Sequence, residues 1–312
     1  MRDVPGGEGE VTSAPPETLE AVACAVCGAD DVSYLHRKAT PEGEVFPVVR
    51  CRRCSLVYVN PRRRQETLAE IYNKSVYFQG TTEMASGYSD YIGDREIHVM
   101  FFDQQLATLE RHVKPGKLLD VGCAVGFLLD TARRRGWKTA GVELSEFASN
   151  YARSELKLDV KSGTLKGAKY PAGAFDAVMM DDVIEHFGDP EREMREVHRV
   201  LKTGGVVLLH TPNAESPWYK LTRKHWVHLK PGEHLYYFSP RTLTQMLEHI
   251  GFRVLSWKPS GKTTRLEYVV GRVKFYNRPV GTLLSAIASL LPFTRRPFPF
   301  RSGEFELVAR KA

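Results

Sequence analysis

Four of the five cysteines fall into two C-x-x-C pairs, Cys24/Cys27 and Cys51/Cys54, which are separated by 23 residues. Thiolates at this spacing are typical of a zinc site. Four of them complete a closed tetrahedral shell that leaves no position for water or substrate. The pairs therefore predict a zinc ribbon, in which the metal stabilises a module whose apolar core is too small to hold alone. The alternative is that the cysteines are buried free thiols in paired strands.

A glycine turn follows a short apolar segment in the sequence K-L-L-D-V-G-C-A-V-G-F-L-L, which runs from Lys117 to Leu129. An apolar strand, a turn containing Gly122 and Gly126, and a helix form the part of an α/β sheet that receives nucleotide-like ligands. The spacing is not G-x-G-x-x-G, and no G-x-x-x-x-G-K-S/T loop occurs, which disfavours dinucleotides and ATP. A ligand without phosphates fits better, and a plain strand-to-helix turn is the alternative.

Three further side chains could bind or catalyse at the same edge of the predicted sheet. Glu143, in A-G-V-E-L-S, ends the next strand 21 residues after Gly122, where a carboxylate can accept hydrogen bonds from both hydroxyls of a ribose. His186, in I-E-H-F-G-D, and His234, in K-P-G-E-H-L-Y-Y-F-S, carry the side chain that most often serves as a base near neutral pH.

The order of four segments resembles that of class I S-adenosylmethionine-dependent methyltransferases: D-V-G-C-A-V-G, G-V-E-L-S, F-D-A-V-M-M-D-D-V-I-E-H and L-K-T-G-G-V-V-L-L-H-T-P-N. The resemblance covers residues 94–260. It implies that Asp120 and Gly122 face the methionine end of S-adenosylmethionine and that Glu143 holds the ribose. The cofactor-binding residues that it implies are Asp120, Gly122, Cys123, Ala124, Gly126, Glu143, Leu144, Thr164, Leu165, Asp181, Asp182 and Val183.

Two positions depart from the pattern of that family. Ala124 stands where many members have a second glycine, a small-for-small change that should preserve cofactor binding. Thr164 replaces an aspartate that members often place at the third strand end to reach the adenine amino group. Recognition of the adenine is therefore the part of the cofactor site that the resemblance supports least.

The cysteine ribbon followed by L-V-Y-V-N-P is similar to the N-terminal module of bacterial methyltransferases in glycan and natural-product pathways, some of which are sugar C-methyltransferases. Glu233–His234 resembles the Glu-His pair of the latter, in which the histidine is placed to act as the base. We therefore predict His234 as the base, with Glu233 beside it and His186 as the second candidate. Pro231 stands where those relatives carry tyrosine, which argues against C-methylation. The alternative is that His234 binds substrate without moving a proton.

Strands and helices alternate through the second half of the chain, which predicts an α/β fold with a Rossmann-like, seven-stranded and mostly parallel sheet. Helices should cover both faces of this sheet, because its strands read as nearly continuous apolar runs. The predicted strands are Leu118–Val121, Lys138–Glu143, Asp159–Ser162, Ala174–Met180, Gly205–His210, Phe252–Trp257 and Phe305–Ala309.

The chain divides into a disordered tail over 1–20, the ribbon module over 21–60, a helix and lid over 61–93, and the methyltransferase domain over 94–312. Asn60 and Pro61 are predicted to open the helix, which carries Leu68, Ile71 and Tyr72 at helical spacing. An insertion at about 260–300 contains a second apolar stripe, for which core or dimer packing is the first interpretation and membrane contact the alternative. The stripe consists of Leu283, Leu284, Ile287, Leu290 and Leu291.

The composition is that of a globular protein, with 42% hydrophobic and 26% charged residues and a net charge of +7. No secretory signal or membrane-spanning segment is evident, so we expect a cytoplasmic protein. The predicted function is O-methylation, in preference to C-methylation, of a small-molecule acceptor such as a sugar, nucleotide-sugar or secondary metabolite. A homodimer stays open, and a nucleic-acid partner is disfavoured. The alternatives are an RNA methyltransferase and a non-enzymatic zinc interaction protein.

Overall fold

Strand pairing divides the protein into a small N-terminal part and a larger α/β part. The computed structural model describes residues 18–41, 43–64, 91–266, 269–271, 273, 278–290 and 298–312. The N-terminal strands are β1 (Leu19–Glu20), β2 (Val32–Ala39), β3 (Val45–Cys51), β4 (Val57–Val59) and β5 (Arg62–Arg63). The elements that follow are α1 (Arg95–Leu109), β6 (Lys117–Val121), α2 (Phe127–Arg134), β7 (Lys138–Glu143), α3 (Glu146–Ser154), β8 (Val160–Ser162), β9 (Phe175–Asp181), α4 (Pro190–Val200), β10 (Leu201–Pro212), α5 (Pro217–Thr222), β11 (Tyr236–Tyr237), α6 (Pro240–Ile250), β12 (Phe252–Thr264), α7 (Arg278–Ser289) and β13 (Phe298–Lys311).

The main sheet has seven strands in the order β12-β13-β10-β9-β6-β7-β8. The pairs between β10, β9, β6, β7 and β8 are all parallel, and β13 runs antiparallel to both of its neighbours. The central strands are apolar and buried, as strands covered on both faces must be. The predicted Rossmann-like fold is therefore confirmed, and the carboxyl ends of β6, β7 and β9 meet at one edge.

Short local signals fix the ends of the helices that frame this edge. The Ser145 side chain accepts a hydrogen bond from the Ala148 amide and begins α3 directly after β7. A capping box between Ser239 and Thr242 begins α6, and Gly251, with a φ of 108°, ends it. The loops after β7 and before α6 are therefore held in place by side-chain hydrogen bonds to the first turns of the helices that follow them.

The ribbon is joined to the α/β part through its sheet. Strands β2, β3 and β4 form an antiparallel sheet whose fourth strand is β11, and Tyr236 and Tyr237 of β11 pair with Tyr58 and Val57. One apolar cluster contains Leu56 and Tyr58 from the ribbon together with side chains of the main sheet and α6. The two parts therefore share both a sheet and a core, which the sequence did not indicate.

Two predicted boundaries are wrong. Arg62 and Arg63 form β5 rather than the first turn of a helix, and they pair with Leu19 and Glu20, which are consequently not part of a disordered tail. The Arg62 guanidinium donates hydrogen bonds to Glu20 (Nε to Oε1, 2.9 Å) and to the Tyr236 hydroxyl (2.6 Å). These tertiary contacts outweigh the local pattern. Residues 65–90 of the predicted helix and lid, which include Leu68, Ile71 and Tyr72, and residues 1–17 lie outside the described residues.

Helix α7 forms within the predicted insertion, but its apolar stripe is not part of the core. Leu283 is 63% exposed, Ile287 49% and Leu290 82%, so core packing is wrong for these three side chains. Packing against a second copy of the chain stays a prediction. In the described part of the chain, no helix combines the length and apolar character that crossing a bilayer requires.

Candidate active site

The glycine turn lies at the carboxyl end of β6 and is pressed against the segment that follows β9. Gly122 and Gly126 adopt φ angles of 74° and 87°, which L side chains rarely tolerate. A Cβ atom on Gly122 would lie 2.6 Å from Cγ2 of Val183, and one on Gly126 would lie 2.5 Å from Cδ1 of Leu158. Both glycines are therefore required by the backbone angle and by the closeness of a neighbouring side chain.

Glu143 links the glycine turn to the start of α3. Its Oε2 accepts a hydrogen bond from the Ala124 amide and its Oε1 accepts one from the Ser145 amide, each at 2.8 Å. Burial raises the pKa of the Glu143 carboxyl, and these two bonds partly oppose the rise. Each oxygen has a further lone pair, so the carboxylate can hold the turn and still accept hydrogen bonds from a diol.

A second carboxyl, Asp120, lies deep in the same edge and is only 3% exposed. Burial raises the pKa of Asp120 well above its ordinary value, and the negative charges of Asp181 and Glu143 raise it further. Three acidic side chains thus converge where the glycine turn meets β9. A ligand that brings positive charge to this position would stabilise their ionised forms, because opposite charges attract strongly in a buried setting.

Asp181 and Asp182 are held by His210, which lies on the adjacent strand β10. The fully buried His210 Nδ1 lies 3.0 Å from Oδ1 of Asp181 and 2.9 Å from Oδ1 of Asp182. These two carboxylates raise the pKa of His210 well above its ordinary value, although burial opposes the rise. Gln105 of α1 donates a further hydrogen bond to Asp181 at 2.8 Å. The imidazolium therefore fixes the strand end that carries both aspartates.

The remaining residues implied for the cofactor lie around this turn and differ in how far they are buried and in whether they form hydrogen bonds. Cys123 and Leu165 are buried, whereas Leu144, directly after Glu143, exposes 38% of its surface. The Thr164 hydroxyl accepts a hydrogen bond from the Gly167 amide at 3.0 Å and so caps its own turn. Thr164 thus has a local structural use, and Leu144 offers apolar surface next to the predicted ribose position.

The two candidate bases meet beside this edge. The rings of His186 and His234 contact each other edge to face, with centroids 4.6 Å apart and planes at 88°. His186 Nδ1 lies 3.0 Å from the carbonyl oxygen of Glu233, and the Leu235 amide donates to the carbonyl oxygen of Glu185 at 2.8 Å. The segment after β9 and the segment before β11 are thereby bound to each other, which brings all three predicted catalytic residues together.

Burial keeps both imidazoles neutral near neutral pH. It lowers the pKa of His186, and it lowers the pKa of His234 well below the ordinary value, where the neighbouring His186 adds to the effect. His234 is 6% exposed, and its Nδ1 has no hydrogen-bond partner within the described residues. A neutral imidazole with an unused lone pair can accept a proton, so the pair is suited to general-base chemistry.

Comparison with known proteins assigns the chain to a family. A family profile described as a methyltransferase domain matches residues 95–256. The chain belongs to this methyltransferase family. It is an S-adenosylmethionine-dependent enzyme of class I, as the four segments predict. A ubiquinone biosynthesis O-methyltransferase of Chromobacterium violaceum is 30% identical over 179 residues, which cover 52% of this chain and 77% of that protein. Its counterpart in Coxiella burnetii is 28% identical over 170 residues, which cover 51% and 70%.

Two solved structures show the same fold at low sequence identity. One is a complex between the Haloferax volcanii Trm112 methyltransferase activator and a methyltransferase. The match to it has a TM-score of 0.52 and 16% sequence identity, and it covers 70% of this chain and 91% of that chain. The methyltransferase also matches the YcgJ protein of Bacillus subtilis with a TM-score of 0.50 and 18% identity, over 69% and 98%. At these identities the likeness concerns the fold alone.

The structure adds residues to the methyltransferase site that the sequence did not single out. Glu185 is fully buried between the two candidate bases and β10, and its Oε2 accepts a hydrogen bond from the Thr211 hydroxyl at 2.9 Å. Burial, followed by the charge of Asp182, raises the pKa of Glu185 to about 8. Glu185 stands in the quoted D-D-V-I-E-H segment and could have been recognised there. Gln105 carries no such signal, because its helix lies far away in sequence.

The four ribbon cysteines of the methyltransferase converge as their spacing predicts. Sγ of Cys24 lies 3.3 Å from Sγ of Cys54, and Sγ of Cys27 lies 3.5 Å from Sγ of Cys51. All four sulfur atoms lie within 4.8 Å of one another. Four ligands at about 2.3 Å from a tetrahedral centre would be about 3.8 Å apart, so the cluster has the size of a zinc site.

Proposed function

We propose that this methyltransferase methylates a hydroxyl oxygen of a small-molecule acceptor, such as a sugar, a nucleotide-sugar or another secondary metabolite. The observation that carries the proposal is the pair of neutral, buried imidazoles of His186 and His234 beside the acidic end of the sheet. A hydroxyl becomes a competent nucleophile when a neutral base removes its proton, which is the chemistry that this pair supplies. The O-methyltransferase names of the related proteins support the same reaction.

The residues at the sheet edge fit S-adenosylmethionine. Asp120 and Asp181 offer negative charge for the ammonium and sulfonium groups, and Glu143 offers carboxylate oxygens for the ribose hydroxyls. Leu144 offers apolar surface for the adenine. When bound, the cofactor supplies an electrophilic methyl group on a positively charged sulfur. The positive φ angles of Gly122 and Gly126 would let the backbone of the turn come close to that ligand.

We assign the proton transfer to His234. His186 Nδ1 is engaged by the Glu233 carbonyl, which orients that ring, whereas Nδ1 of His234 has no partner in the part of the chain that the structure describes. His234 therefore accepts the hydroxyl proton as the oxygen attacks. The negative charge of Asp182 opposes the lowering of the His234 pKa, so this carboxylate stabilises the resulting imidazolium.

Turnover and cofactor affinity in histidine variants test this assignment. His234→Ala should lower turnover by about 10²–10⁴-fold, the usual contribution of a general base, while affinity for S-adenosylhomocysteine stays unchanged. His249→Ala is the matched control, because the His249 side chain is 68% exposed and lies outside the site. Turnover is followed as S-adenosylhomocysteine release with a panel of phenols, sugars and nucleotide-sugars. A His234→Ala enzyme that loses cofactor binding, or that turns over normally, contradicts the assignment.

We further propose that Cys24, Cys27, Cys51 and Cys54 hold one structural zinc ion. The size of the sulfur cluster and its four-thiolate chemistry support this metal, and a closed shell excludes a catalytic role. The module over 21–60 acts as a platform for the acceptor side of the domain over 94–312. Free rather than paired cysteines fit a reducing compartment such as the cytoplasm.

A further inference from the structure

A cavity of about 800 Å³ lies at the junction between the ribbon sheet and the segment that contains α5. Its walls come from β2, β3 and β4 on one side and from residues 214–225 and β11 on the other. The volume is in the range that small-molecule sites occupy, and sites of this kind often form between two structural units. Neither the glycine turn nor the proposed cofactor residues line this cavity.

The lining is strongly basic. It includes five guanidinium or ammonium groups and, among the described lining residues, one carboxylate, that of Glu215. Glu215 forms an ion pair with Arg241 at 3.2 Å, which leaves a net positive charge. The five cationic residues are Arg50, Lys220, Arg223, Lys224 and Arg241.

The positive charges are close enough to affect one another and the groups between them. Burial, followed by the charge of Lys224, lowers the pKa of Lys38, which lies on β2 beside the cavity. Burial likewise lowers the pKa of His36, and the charges of Lys38, Arg223 and Lys224 lower it further. Like charges gathered in this way raise the energy of the free protein, and an anion relieves that repulsion.

Buried polar groups also face this cavity. Tyr237 and His36 both line the cavity, and the Tyr237 side chain is only 1% exposed. Nε2 of His36 is buried without a hydrogen-bond partner within the described ranges. Buried polar atoms without partners are costly, and a ligand that hydrogen-bonds to them recovers that cost.

The cavity adjoins the proposed base. Tyr237 lines the cavity, and its ring centroid lies 6.2 Å from that of His234, which in turn contacts His186. Tyr237 thus lies next to both the basic lining and the proposed base. A ligand whose anionic part lies against Arg223 and Lys224 would extend past Tyr237 and place its next group beside His234.

We infer that this basic cavity binds the phosphate or diphosphate part of the acceptor and so places the hydroxyl to be methylated next to His234. The acceptor role rests on the function proposed above. Arginine and lysine side chains recognise phosphate oxygens by charge-assisted hydrogen bonds, and arginine does so with two parallel bonds. The acceptor is accordingly a phosphorylated or nucleotide-linked small molecule rather than a neutral phenol.

Titration of inorganic pyrophosphate and of UDP into the full-length protein, with and without saturating S-adenosylhomocysteine, tests the inference. Both probes should bind without competing with S-adenosylhomocysteine. The double variant Arg223→Ala/Lys224→Ala should weaken the affinity for pyrophosphate and for UDP by on the order of tenfold or more, because two charge-assisted hydrogen bonds are lost. Lys138→Ala/Arg253→Ala is the matched control, because it removes two exposed positive charges outside the cavity and should leave both affinities unchanged.

The outcomes separate this inference from the proposed function. Normal binding of S-adenosylhomocysteine without binding of either probe overturns the inference alone, as does equal binding of the probes by both double variants. Failure of S-adenosylhomocysteine to bind contradicts the proposed function, whereas the titrations without it still decide whether the cavity binds phosphate. A ten-nucleotide RNA that binds at least tenfold more tightly than UDP, and loses affinity in the same double variant, overturns the small-molecule acceptor in favour of RNA.

Discussion

Replacing Gly122 with alanine tests whether the contact with Val183 fixes the cofactor turn. The φ angle of 74° costs a residue with a Cβ atom about 1–2 kcal/mol. The new Cβ would lie 2.6 Å from Cγ2 of Val183, about 1 Å inside ordinary contact, and relieving such overpacking costs about 1–3 kcal/mol more. Gly122→Ala should therefore lower the free energy of unfolding by about 2–5 kcal/mol.

Two further variants separate the backbone cost from the steric one. Gly136 has a φ of 90°, and in the described structure no atom lies within 4 Å of its added Cβ, so Gly136→Ala carries the backbone cost alone, about 1–2 kcal/mol. Val183→Ala combined with Gly122→Ala removes the clash. It should recover about 1–3 kcal/mol relative to the sum of the single changes, as an interaction energy of contacting residues.

Urea unfolding gives the free energies, and calorimetric titration gives the affinity for S-adenosylhomocysteine. Gly122→Ala should weaken that affinity by about tenfold, because Val183 must move at the ligand's edge, whereas Gly136→Ala should leave it unchanged. Equal destabilisation by Gly122→Ala and Gly136→Ala, with no recovery in the double variant, would refute the argument that the Val183 contact fixes the turn.

Two other predictions concern the metal and the pH dependence. Cys51→Ser should abolish the zinc content of the protein, measured by mass spectrometry, and lower its Tm. Cys123→Ser is the control and should retain the metal. Equal zinc content in the two variants would count against the four-cysteine site. The pKa of Glu185 is about 8 in the folded protein and about 4.5 in the unfolded chain, so the folded state holds a proton that the unfolded state has lost between these two pH values. The free energy of unfolding of the cofactor-free protein should therefore fall by about 3–5 kcal/mol as the pH rises from about 4.5 to about 8. Glu185→Gln should flatten this slope in urea unfolding measured from pH 5 to pH 8.5, and an unchanged slope would show that another group is responsible.

All seven strands of the main sheet could be predicted, because most are apolar runs bounded by turn residues, although β8 contributes only one buried residue, Val160. The ends were less predictable where pairing with a distant strand decides them. Strand β12 continues past the predicted end at Trp257 to Thr264, because β13 pairs with it along that length. Strand β5 exists because β1 is beside it, and the local sequence after Pro61 favours a helix.

In the candidate site, too, contacts within a short stretch of sequence could be predicted and contacts between distant elements could not. Glu143 and the glycine turn lie within one local motif, so their proximity could be predicted from the spacing. His210 and Gln105 act on Asp181 from another strand and another helix, and no sequence period indicates such contacts. The cations of the basic cavity come from β3, from α5 with the residues after it, and from α6, three parts of the chain that share no motif.

The pairing of β11 with β4 also sets an order of events during synthesis. Residues 57–59 leave the ribosome about 180 residues before residues 236 and 237, their neighbours in the ribbon sheet. At a translation rate of about 5–20 residues per second, the β4 edge of the ribbon sheet stays without its fourth strand for roughly 10–35 s. A nascent ribbon can bind the proposed zinc ion early, but its sheet closes only after most of the domain over 94–312 has been made. Slow translation or truncation within this interval therefore exposes an open strand edge, the kind of surface from which aggregation begins.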